Sequence, residues 1–187
     1  MIIVAAVALV IVSVPLAGGD LSAASSLRVR AVWAVLVAIA LQVMVISIMQ
    51  AVLPHALASA VHLGSYGLAA WFVVVNRHIR GLFIVAAGGL LNLVAIALNH
   101  GVMPASAAAM RSAGIATASG EFVNSGAVAH PKLGYLGDIF ALPKPWPFAN
   151  VFSIGDVLVV IGVAVVLHSA CRSRISGHRT VARVPSR

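Results

Sequence analysis

Long apolar runs separated by short polar segments dominate the pattern of this chain. Five runs lack charged residues over most of their length, and we predict that they form helices at residues 2–16, 31–53, 56–75, 81–98 and 154–170. A hydrocarbon layer about 30 Å thick needs about 20 residues of helix at about 1.5 Å per residue. The predicted fold class is therefore an all-α membrane protein, a five-helix transmembrane bundle.

Composition agrees with this prediction and excludes an ordinary soluble domain. Hydrophobic residues make up 61% of the 187, and charged residues only 9%, against about 25% in typical globular chains. The net charge of +8 would suit a nucleic-acid partner, but most basic residues flank apolar runs rather than forming a patch with base-reading groups. We therefore predict no nucleic-acid partner. The single cysteine, Cys171, has no partner for an intrachain disulfide.

The basic residues are concentrated in alternate connections of the predicted bundle. Nine of the twelve lie before the second run, before the fourth run or after the fifth: Arg28, Arg30, Arg77, Arg80, Arg172, Arg174, Arg179, Arg183 and Arg187. Because basic connections stay on the cytoplasmic side, we expect the N-terminus outside and the C-terminus inside. Residues 1–171 then form one transmembrane domain, and residues 172–187 form a basic cytoplasmic tail.

A few polar side chains interrupt the predicted helices and are the candidates for ligand binding. Most lie in the outer half of the predicted bundle, which suggests an outward-facing polar cavity closed below by aliphatic residues. The candidate ligand-binding residues are Gln42, His62, Tyr66, Asn92, Asn99, Asp138, Trp146 and Asp156. The alternative is packing, since amides and hydroxyls within bundles bond to neighbouring helices without touching a ligand. Small residues beside Asn92, such as Gly81 and Gly88, also predict close helix packing.

The connection at 100–150 is too long for a simple loop, so we predict a structured external lid. Residues 107–115 read as a short helix, and the segment Leu142 to Phe148 combines three prolines with two aromatic residues. After the lid, Ser153 and Asp156 have the spacing of a capping box at the start of the fifth helix. Asp156 is thus a helix cap, a ligand contact, or both.

Several short motifs in this region carry a family resemblance. They are NHGVMP at 99–104, FVNS at 122–125, YLGDIF at 135–140 and FSIGD at 152–156. In this order they resemble an uncharacterised family of small bacterial polytopic membrane proteins, one of the domain-of-unknown-function families. The resemblance implies a location in the bacterial plasma membrane and a multi-pass fold. It implies no activity, so no catalytic residue follows from it.

The chemistry of the chain favours binding over catalysis. No phosphate loop, nucleophile elbow, zinc helix or paired cysteine motif is present, and the histidines lack the helical spacing of ligand pairs. We therefore expect no metal and no cofactor. The leading hypothesis is a non-enzymatic protein whose cavity binds a small amphiphile or lipid, or docks a membrane-protein partner. The alternatives are a membrane enzyme using Asp138, Asp156 and Glu121, and a transporter. The lipid bilayer and a homo-oligomer are further expected partners.

Overall fold

The computed structural model describes residues 2–44, 55–99, 102–115, 125–126, 128 and 130–176. Within these ranges, the side chains of residues 55–59, 62–63 and 125–126 lie outside the description. Glu121, one of the candidate acids, also lies outside the described residues.

Six α-helices form the framework of the described ranges, and five of them correspond to the predicted apolar runs. They are α1 (Ile2–Leu16), α2 (Val32–Met44), α3 (His55–Val75), α4 (Leu82–Leu98), α5 (Ala107–Ala113) and α6 (Ile154–Ala170). The described limits agree with the predicted ones within one residue, except that the predicted end of α2, residues 45–53, lies outside the described residues. Short 3-10 helices at Leu21–Ser26, Gly134–Leu136 and Arg174–Ser176 occur in the connections.

The prediction of a transmembrane bundle, and with it the description as a multi-pass membrane protein, is wrong. Among the described helices, none is both long enough and apolar enough to cross a membrane. Helices α1, α4 and α6 contain 15 to 17 residues, which gives about 22 to 26 Å against a layer of about 30 Å. Helix α3 has 21 residues, but polar residues such as Ser65 and Tyr66 interrupt its apolar sequence.

Helix α4 packs antiparallel to α6, and glycines allow the close approach that the sequence predicted for α4. Gly81, at the N-terminal cap of α4, faces Gly162, and Gly88 faces Gly155, so each side of the contact has two glycines seven residues apart. A Cβ atom added at Gly81 would lie 2.7 Å from the Gly162 carbonyl oxygen, and one at Gly155 would lie 2.7 Å from the Gly88 carbonyl oxygen. These distances are too short for any side chain. Helix α1 packs on α6, and α2 packs on α3.

The predicted lid has its own small structure. Strand β1 (Met103–Pro104) pairs in parallel with β2 (Ser125–Gly126), and β3 (Phe140–Leu142) pairs antiparallel with β4 (Asn150–Phe152). The short helix predicted at 107–115 is confirmed as α5, and it buries Ala109, Met110 and Ala113 against Val151 of β4. Because β4 leads directly into α6, this small core fixes where the last helix begins.

Candidate functional site

The start of α6 carries a capping box, as the spacing of Ser153 and Asp156 predicted. The Asp156 amide donates to Ser153 Oγ over 3.0 Å, and the Ser153 amide donates to Asp156 Oδ2 over 2.9 Å. Ser153 is fully buried. The reciprocal bonds satisfy two amide donors that an uncapped helix would leave unpaired. The cap therefore fixes the position of both side chains.

Asn92 of α4 joins this cap and closes a ring of hydrogen bonds between α4 and α6. Its Nδ2 donates to Asp156 Oδ1 over 2.8 Å, while its Oδ1 accepts from Ser153 Oγ over 2.9 Å. Two predicted ligand residues, Asn92 and Asp156, thus lie together. Their polar atoms bond to each other and to Ser153, so this ring positions α6 rather than presenting open polar groups.

A groove lies beside this ring, between α1 and α6. Three residues of α1, one of β4 and four of α6 line it: Ile2, Ile3, Ala6, Phe152, Asp156, Val157, Val160 and Ile161. Its volume is about 240 Å³ and its exposed wall is apolar. The oxygens of Asp156 point into the ring with Asn92 and Ser153, which explains how a carboxylate can border an apolar groove.

Asn99, at the end of α4, holds the lid rather than the groove. Its Nδ2 donates to the carbonyl oxygens of Ala95 and Lys132 over 2.7 and 2.8 Å, and its Oδ1 accepts from the Lys132 amide over 2.9 Å. The buried amide group thereby fixes a segment 33 residues away. Its role in the structure is to attach the lid to α4.

Asp138 and Trp146 lie at separate places in the lid. Asp138 is buried, and its main chain pairs with β1, with its amide donating to the Pro104 carbonyl over 2.8 Å. Trp146 is 63% exposed. The acids proposed for the enzyme alternative have different neighbours, since Asp156 bonds to Asn92 and Ser153 while Asp138 pairs with β1.

The remaining candidates lie on the α2–α3 pair. Gln42 and Tyr66 are half-buried, and burial raises the pKa of the Tyr66 phenol above its ordinary value. His62 lies on α3, but its side chain is outside the described residues. The eight candidates are therefore distributed over the α4–α6 contact, the lid and the α2–α3 pair. No group of three or more histidine, cysteine or acidic residues in the described ranges is placed to hold a metal.

Sequence reasoning missed two polar clusters and, apart from Asp156, the residues that line the groove. Those seven groove residues are aliphatic or aromatic, so nothing in the sequence separates them from residues that pack in a core. Asn76 is fully buried and bonds to both main-chain polar groups of Arg30. The ring nitrogens of buried His168 lie 3.0 Å from Ser13 Oγ and 2.7 Å from Ser173 Oγ. Asn76 directly follows an apolar run, and this position was the sequence feature that could have identified it.

Comparison with known proteins identifies a family. A family described as a family of unknown function (DUF5317) matches residues 26–168, which is more than half of the chain. No curated protein and no solved structure matches. The matched range includes the α6 wall of the groove and the Asn92 ring, while α1 precedes it.

Proposed function

Since the chain belongs to the DUF5317 family, whose function is unknown, we propose from its own geometry that it binds the alkyl chain of a small amphiphile. The binding site is the groove between α1 and α6. The observation that carries this proposal is the apolar wall of the groove beside a carboxylate whose oxygens are already bonded. An apolar wall favours a ligand that gains by leaving water, and it offers no polar group to a sugar or a nucleotide.

The size of the groove narrows the class of ligand. Its 240 Å³ is below the range of about 300 to 1,000 Å³ that is usual for drug-sized ligands. It corresponds to about eight water molecules at about 30 Å³ each, which suits one short alkyl chain. Since the groove is open to solvent on one side, the polar head of the amphiphile would remain in water. The proposal concerns binding, and it requires no chemical step.

Filling the groove tests the proposal. We expect Ala6→Phe, which places a ring where the alkyl chain would lie, to weaken binding of octyl glucoside at least tenfold in isothermal titration calorimetry. Binding to the unmodified protein should show a negative heat-capacity change, because apolar surface is buried. The matched control is Ala8→Phe, the same change two residues later on α1, at an exposed position outside the groove.

The comparison between the two variants decides the outcome. Retained binding in Ala8→Phe together with loss in Ala6→Phe supports the groove as the site. Equal binding in both variants, with unchanged circular dichroism, would show that the groove is not the binding site. A heat-capacity change near zero would also argue against burial of an alkyl chain.

A second candidate function is docking of a protein partner, and one observation favours it. Leu9, Val12 and Leu16 of α1 are exposed at helical spacing, which forms an apolar stripe on a surface helix. Exposed apolar patches of this kind mark interaction sites. Native mass spectrometry separates the two functions, since a bound small molecule and a bound protein chain differ in mass.

A further inference from the structure

Among the described residues, six arginines lie at the end of the helical bundle opposite the groove. This end collects the C-termini of α1, α3 and α6 and the N-termini of α2 and α4. The six arginine side chains there are exposed: Arg28, Arg30, Arg77, Arg80, Arg172 and Arg174. They come from three separate connections, so the fold rather than the local sequence brings them to one end.

Hydrogen bonds to main-chain atoms hold these connections together. The Asn76 side chain bonds to the amide and carbonyl of Arg30 over 2.7 and 2.8 Å, and His78 Nε2 donates to the Arg28 carbonyl over 3.0 Å. The Arg174 amide donates to the Ala17 carbonyl over 3.0 Å. Because these bonds use main-chain atoms, they do not occupy the guanidinium groups. The arrangement of positive charge is therefore fixed while the charged groups stay exposed.

Little negative charge opposes the arginines at this end. The one carboxylate in the connections that carry them is Asp20, and it accepts hydrogen bonds from the amide and hydroxyl of Ser22 at the start of a 3-10 helix. Six positive charges against one negative charge attract an anionic partner. The charge does not by itself distinguish a phospholipid surface from a nucleic acid.

Exposed apolar side chains around the arginines make that distinction. Trp33 and Trp71 are 57% and 44% exposed, with ring centroids 5.5 Å apart, and each lies within about two helical turns of an arginine. Leu16 is 82% exposed and Ile175 is 71% exposed. Tryptophan favours the boundary between headgroups and acyl chains. Exposed leucine and isoleucine gain from acyl chains but have no stacking partner in a nucleic acid.

We propose that this arginine-rich end docks on a surface of anionic phospholipid. The guanidinium groups contact phosphate groups, which they can bind with two parallel hydrogen bonds. The flanking tryptophans and aliphatic side chains enter the headgroup boundary. This surface is independent of the groove, which lies at the other end of α1 and α6.

A charge-removal experiment tests the docking surface. We compare the triple variant Arg28→Gln, Arg77→Gln, Arg80→Gln with a matched triple variant, Arg111→Gln, Lys132→Gln, Lys144→Gln, whose exposed basic residues lie in the lid. Both variants lose three positive charges, so net charge is equal. Binding is measured by flotation of the full chain with phosphatidylcholine vesicles that contain or lack phosphatidylglycerol.

We expect the arginine variant to bind anionic vesicles on the order of 100-fold more weakly than the unmodified protein, with the lid variant changed far less. Binding should also decrease as salt is added, since exposed charges are screened over about 8 Å at physiological ionic strength. Equal loss in the two triple variants would overturn the proposal, because net charge alone would then explain binding. Equal binding to vesicles with and without phosphatidylglycerol would also overturn it. A third contrary result would be that the arginine variant loses retention on a DNA column while its binding to vesicles is unchanged.

Discussion

Single side chains in this protein act by joining segments that are distant in sequence. Asn92 bonds to Asp156, 64 residues later, and Asn76 bonds to Arg30, 46 residues earlier. In each case an amide supplies both a donor and an acceptor, so one side chain satisfies two partners. Removing such a residue leaves polar groups without partners, which costs more than the bond itself contributed.

Replacing Asn92 by leucine should therefore destabilise the fold. Asn92→Leu removes the donor to Asp156 and the acceptor for the Ser153 hydroxyl, and we expect the free energy of unfolding to fall by about 2 kcal/mol, the scale of a hydrogen bond to a charged group. Chemical denaturation measures this change. Asp156→Leu alone and the double variant complete a cycle, in which the double variant should lose less than the sum of the single variants. Strict additivity would mean that the two side chains do not interact.

Tyr66 makes the stability of the fold depend on pH in the alkaline range. Burial raises the pKa of its phenol, so the folded state holds this proton more tightly than the unfolded state. The stability contributed by this group is complete below the unfolded pKa of about 10, and it is lost as pH rises through the folded value.

Spectroscopic titration checks this. The chain has two tyrosines, and tyrosinate absorbance should include a component that titrates above the ordinary range and disappears in Tyr66→Phe. In the same variant, the free energy of unfolding should decrease less steeply as pH rises. The contrary result would be a Tyr66→Phe titration in which the absorbance change is half as large but its most alkaline part is still present. That result would show that the Tyr66 phenol is solvated.

At the scale of elements, the glycines of α4 differ in what surrounds them. An added Cβ at Gly88 would lie 2.8 Å from the Val159 amide nitrogen, whereas at Gly89 nothing lies within 4 Å. Gly88 is buried between α4 and α6, and Gly89 is not part of that contact. The two adjacent positions on one helix thus provide a controlled comparison of packing.

We expect Gly88→Ala and Gly89→Ala to have opposite effects on stability. Gly88→Ala should lower the free energy of unfolding by about 1 to 3 kcal/mol, because α4 and α6 must separate. Gly89→Ala should raise it by up to about 1 kcal/mol, since alanine favours the helix over glycine. Thermal denaturation followed by circular dichroism compares them. A stabilising Gly88→Ala would show that the α4–α6 contact is looser than described.

For the molecule as a whole, the sequence predicted the helices better than their assembly. Apolar runs bounded by polar residues, glycine or proline placed the helix limits, and the Ser153 and Asp156 spacing predicted the cap of α6. The predicted crossing of a membrane was wrong although most helix limits were right. Helices α1, α4 and α6 contain 15 to 17 residues, fewer than the about 20 that a hydrocarbon layer needs.

The candidate site was predictable only where a polar residue marked it. Asn92 and Asp156 were identified, but their contact depends on the antiparallel pairing of α4 with α6, which one sequence does not determine. The groove was not predictable, since Ile2, Ala6 and Val157 have the same character as residues that pack elsewhere. A void between helices depends on which aliphatic residues face each other, and hydropathy alone carries no such information.

The paired glycines between α4 and α6 do not by themselves define a single register of the two helices. Because both sides of the contact carry glycines seven residues apart, sliding one helix by about 10 Å in either direction would still bring one glycine opposite another. Glycine pairing alone would therefore tolerate three alignments. The hydrogen-bonded ring of Asn92, Ser153 and Asp156 can form in one of these alignments only. These few polar bonds therefore select the register of α6. Since α6 forms one wall of the groove, the register also determines the shape of the groove.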